Sequence, residues 1–106
     1  MRLFSVLLLL LASAPLFAQQ SYIIDWDAAG EEAVQHLVDL VRIDTTNPPG
    51  NETLVVEYLE KALADEGIES QRYALEPDRA NLVARSRGNG SKRPILLMGH
   101  TDVVGV

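Results

Sequence analysis

The chain has 106 residues, no cysteine and a formal net charge of −6. Without cysteine there is no disulfide framework and no thiolate metal site, so a metal would have to be held by histidine and carboxylates. The acidic balance argues against a nucleic-acid partner, because such binding draws its affinity mainly from Lys and Arg on phosphates.

The first stretch, "MRLFSVLLLLLASAPLFAQQ", sets Arg2 ahead of a leucine-rich run that gives way to small residues. That is the layout of a secretory signal peptide, with cleavage expected after Ala18. A retained anchor is the lesser alternative, since the apolar core falls short of the ~20 residues a spanning helix needs. Residues 1–18 are therefore read as a leader, and residues 19–106 as a periplasmic or secreted chain with no membrane contact after processing.

Asp27 is the expected cap of a first helix whose apolar positions Ala33, Leu37, Leu40 and Val41 fall at three- and four-residue spacing. One face of it is expected to turn inward, and His36 reads as a surface or boundary residue. The helix gives way to "DTTNPPGNE", where Pro48 biases Asn47 away from helical angles and Pro48-Pro49-Gly50 fixes a turn. Asn51 then caps a second helix running to about Glu66, with Val55, Leu59, Ala62 and Leu63 on one face and Gly67 as its left-handed stop. Turn and cap account for residues 45–53 through folding alone. They also account for the glycosylation patterns at Asn51 and Asn89, the second of which lies in a turn.

Three strands are expected next, in "SQRYAL", "NLVARS" and "PILLMGH". Asn89-Gly90 is a hairpin signal that would make the second and third antiparallel neighbours. The third, Ile95 to Met98, lacks polar alternation and reads as a strand buried on both faces. Within this length of chain it lacks the neighbours to bury it, so partial exposure is expected. The close on Val103-Val104-Gly105-Val106 is apolar where termini usually are polar, and suggests the opening of a larger protein.

Chemistry concentrates at "GHTDVV". In extended backbone, residues two apart share a side, so His100 and Asp102 face one cavity while Thr101 faces away. A carboxylate beside an imidazole can fix its tautomer and raise its basicity, which suits one corner of a metal site. Alone, a His-x-Asp triplet is a weak pattern that a hydrogen-bonded structural histidine also satisfies. No serine lies in a Gly-x-Ser-x-Gly context, and "RGNG" lacks the Lys-Ser/Thr ending of a phosphate loop.

Taken together, "LVRIDTTNPPGNE", the helix after it, "NLVAR" and "ILLMGHTDVV" resemble the opening of the zinc-dependent aminoacylase, acetylornithine deacetylase, succinyl-diaminopimelate desuccinylase and glutamate carboxypeptidase superfamily, over roughly Glu31 to Val104. Gly105 departs from the proline that relatives usually carry there. The resemblance implies an α/β fold, the N-terminal portion of a zinc-peptidase catalytic domain with two helices and then strands of a mixed sheet. It implies that His100 is a zinc ligand and that Asp102 is a non-ligand supporting the site. It further implies two zinc ions, bridged by a later aspartate and a water, with a glutamate pair further along that supplies the base.

The activity so implied is hydrolysis of an amide bond in a peptide or N-acyl amino acid, with homodimerisation through an inserted lid domain in some relatives. One imidazole is not a zinc site, so the present chain is not expected to hydrolyse amides by itself. The competing reading is a non-catalytic exported α/β module, or an inactive remnant, whose His100 is structural.

Overall fold

The computed structural model describes residues 22–105, so the expected leader, residues 1–18, lies outside the described residues. The architecture is α/β. Helix α1 (Trp26–Val41) and the short strand β1 (Thr46–Asn47) precede helix α2 (Glu52–Asp65), and strands β2 (Ser70–Ala74), β3 (Ala80–Ala84) and β4 (Val103–Val104) follow.

Helix α1 begins at Asp25, two residues before the expected cap. The Asp25 carboxylate accepts from the Asp27 and Ala28 amides at 3.1 Å each. Asp27 instead sits in the first turn, where its charge opposes the positive end of the helix dipole. The inward face is not observed, for α1 has no buried residue and Val34, Leu37 and Val41 are exposed. Among its ties to α2 is His36, whose Nδ1 lies 2.6 Å from the Tyr58 hydroxyl with the two rings edge to face. That matches a boundary role.

Helix α2 carries the small core. Val55 and Val56 are buried beneath it, together with Ala80 of β3, and α2 lies across β3 and β2. On its outer side the Arg72 guanidinium forks onto the Glu60 carboxylate and also reaches Glu57, tying β2 to the helix. The expected stop holds in full. The Ile68 amide donates to Leu63 O at 2.8 Å and the Gly67 amide to Ala64 O at 2.9 Å, with Gly67 at φ 69°, the two bonds of a Schellman termination.

The start of α2 differs from expectation, because Asn51 occupies the cap position without a side-chain cap bond. Backbone carbonyls do that work instead: the Thr53 amide donates to Asp78 O at 3.1 Å and the Leu54 amide to Asn51 O at 3.0 Å. With no cap bond to lose, and only the long 3.5 Å bond from Asn51 Nδ2 to Asp44 O to give up, Asn51→Ala is expected to cost less than the ~1 kcal/mol of a lost cap. Urea unfolding of the two proteins checks it.

Strands β2 and β3 form an antiparallel pair with Arg72 opposite Leu82. The expected hairpin at Asn89-Gly90 is not formed. Ser91 N donates to Asn89 Oδ1 at 3.0 Å and Gly90 has φ 80°, so the turn exists, but no strand flanks it among the described residues. A two-residue loop there would set Arg87 against Lys92, a like-charge pair, and place Pro94, which has no N–H, in the ladder. Ile95 to Met98 are not a strand buried on both faces either. All four are more than three-quarters exposed, as expected of a segment without neighbours to cover it.

Candidate functional site

The site is assembled where the loop after α1 meets the segment after Met98. Asp44 begins the loop by accepting the Thr46 amide at 2.9 Å, and hydrogen bonding from the Thr46 side chain first, and from this amide second, holds its carboxyl below the usual range. The Gly50 amide donates to Thr46 O at 2.9 Å and closes the turn. Within it, β1 pairs in parallel with β4, Thr46 opposite Val103 and Asn47 opposite Val104. Two further bonds lock that register. The Val103 amide donates to Thr45 O at 3.2 Å, and the buried Thr45 hydroxyl donates to Thr101 O at 2.6 Å.

His100 and Asp102 come together as their spacing predicts. The imidazole Nδ1 lies 3.1 Å from Asp102 Oδ1 and 3.1 Å from the Asp102 carbonyl oxygen. Both acceptors lack hydrogens, so Nδ1 is the donor, and in the neutral imidazole the lone pair is on Nε2. The His100 side chain is 86% exposed and that of Asp102 38%. Asn47 Nδ2 donates to the other carboxylate oxygen, Asp102 Oδ2, at 3.4 Å. The Asn47 and His100 bonds together hold the Asp102 carboxyl below its ordinary range, Asn47 contributing most.

Behind the pair lies a cleft of about 340 Å³ bounded by Val55, Val56, Glu52, Arg79 and residues 99–102. Its floor is an ion pair. Arg79 Nη2 donates to Glu52 Oε1 at 2.8 Å and Arg79 Nε to Glu52 Oε2 at 3.3 Å. The fork lowers the Glu52 carboxyl, while the negative Asp102 nearby pulls weakly the other way.

His100 fits one ligand of a metal ion, with its second nitrogen free and its first held by a carboxylate, the usual support for a ligating imidazole. Among the described residues no group of three or more His, Asp or Glu side chains is placed to hold a metal. The chain thus shows one ligand-type imidazole and its orienting carboxylate. The sequence pattern does not single out Asn47, and reads residues 45–53 as turn and cap alone. The signal that points to it is Pro48, which keeps Asn47 extended and so able to pair as a strand.

Compared with known proteins, the chain is 39% identical over 75 residues to two proteins named "Probable succinyl-diaminopimelate desuccinylase", from two strains of Staphylococcus epidermidis. The matched segment is 70% of this chain and 17% of each relative, so the match spans about a sixth of the length of these curated relatives. No family model matches the chain, and no solved structure does.

Proposed function

We propose that the chain is part of an exported zinc-dependent hydrolase of amide bonds in peptides or N-acyl amino acids, with His100 binding one of two zinc ions and Asp102 orienting it. The observation that carries the reading is the His100 Nδ1 to Asp102 Oδ1 contact of 3.1 Å, which leaves Nε2 free beside a cleft. The likeness to desuccinylases supports the substrate class, since an amino acid succinylated on nitrogen is an N-acyl amino acid.

Zinc, when bound, would lower the pKa of a coordinated water and polarise the scissile carbonyl. The remaining ligands and the base are not among the described residues. This chain's own part is narrower: His100 supplies a lone pair at Nε2, and Asp102 keeps the proton on Nδ1 so that the lone pair stays available. A complete zinc site takes three protein ligands and a water. Export, freedom from the membrane after processing, and dimerisation through a lid domain belong to the same proposal.

The second reading, a non-catalytic α/β module with a structural His100, draws on the two Asp102 acceptors that already engage His100 Nδ1 at 3.1 Å each. The natural full-length protein carrying this segment separates the two. N-succinyl and N-acetyl amino acids and dipeptides should be cleaved, the activity should disappear on chelation, and added zinc should restore it. Cleavage indifferent to chelation, or no cleavage with zinc present, would decide against the hydrolase.

A further inference from the structure

We infer that Asn47 is a positioning residue of the site: by donating to Asp102 Oδ2 it fixes the carboxylate that, together with the Asp102 carbonyl oxygen, sets the tautomer of His100. This deepens the hydrolase reading and rests on it for its purpose, because the tautomer so fixed is the one whose Nε2 is free for a metal.

The placement follows from register. Asn47 stands opposite Val104 in the parallel β1–β4 pair, and side chains two apart on a strand share a face, so Asn47, Val104 and Asp102 lie on the same side. Asn47 then meets Asp102 diagonally, across 55 residues of sequence. A carboxylate only accepts, so the amide edge facing it is the NH2 group. The two Asp102 oxygens are divided between partners, Oδ2 to Asn47 and Oδ1 to His100. Asn47 thereby limits rotation of the carboxylate about its last bond, and Oδ1 stays beneath Nδ1.

The loop is built to keep Asn47 there. Thr45 is buried and its hydroxyl holds Thr101 O at 2.6 Å, fixing the residue between His100 and Asp102. The Gly50 amide closes the turn on Thr46 O from the other side. Asn47 is held between two anchored neighbours, while its own side chain is only half-buried and is spent on Asp102.

The test uses the full 106-residue chain labelled with 15N-histidine, which has two imidazoles, His36 and His100. Their ring nitrogen shifts report the ratio of Nδ1–H to Nε2–H tautomer without metal or substrate. His36, held by Tyr58, serves as the internal signal that a variant is folded. In Asn47→Ala the ratio at His100 should fall by about two- to tenfold, the factor one net hydrogen bond carries.

The isosteric Asn47→Asp should lower the ratio at least as far, because it removes the donor and sets a second carboxylate against the first. A role in shape alone would order the variants the other way, with Asp milder than Ala. An unchanged ratio at His100 in Asn47→Asp, with the His36 signals intact, would overturn the inference. Since no catalysis is read, a natural protein that fails the chelation experiment leaves this result standing, and the reverse also holds.

Discussion

Replacing His100 with alanine in the natural full-length protein is expected to lower bound zinc substantially, while Asp102→Asn is expected to retain much of the metal and lose ~10 to 100-fold in turnover, the usual cost of disturbing a partner behind a ligand. The two residues are 3.1 Å apart yet should fail differently. A ligand supplies a bond to the ion, and alanine has none to give. Asparagine in place of Asp102 keeps the shape but removes the charge that favours Nδ1–H, so the imidazole can present the wrong nitrogen. Metal analysis of dialysed proteins beside steady-state rates separates these effects. Full zinc occupancy in His100→Ala would show that the imidazole is not a ligand.

What the sequence carries about this molecule is mostly local. Gly67 is legible as the stop of α2 because both bonds of the termination lie within six residues, Leu63 to Ile68. The alternation that puts His100 and Asp102 on one side is likewise a property of three consecutive residues. The start of α1 is less legible, since Asp25 and Asp27 are equally able to cap and only the backbone turn decides between them. The start of α2 fails for a different reason: its Thr53 amide finds the carbonyl of Asp78 in the β2–β3 connection, which no local pattern announces.

Longer-range pairing is where sequence reasoning stops. Asn89-Gly90 makes its local turn, but a hairpin also needs partners that suit each other, and Arg87 with Lys92 do not. Ile95 to Met98 have the composition of a covered strand, and composition cannot supply the covering. Asn47 is hidden for the same reason. It matters through the register of β1 with β4, which joins segments more than fifty residues apart and is secured by the Thr45 bonds to Thr101 and Val103.

Gly50→Ala is expected to be the most damaging small substitution in the loop, costing about 2–4 kcal/mol against roughly 1–2 kcal/mol for Gly67→Ala. Both glycines have positive φ, 82° and 69°, so each alanine meets the left-handed penalty. They differ in space. Nothing stands within 4 Å of a Cβ at Gly67, whereas one at Gly50 would lie 2.9 Å from Glu52 Oε2, 3.0 Å from Oε1 and 3.1 Å from Arg79 Nε. A free carboxylate would swing aside, but Glu52 is held at both oxygens by the Arg79 fork and is only 8% exposed. The loop must yield instead, and it carries Asn47. Gly50→Ala should therefore also disturb the His100 ring-nitrogen shifts, which Gly67→Ala should leave as they are. Denaturant unfolding of the two variants gives the comparison, and equal losses would show that the close approach of Gly50 to the ion pair contributes nothing beyond backbone strain.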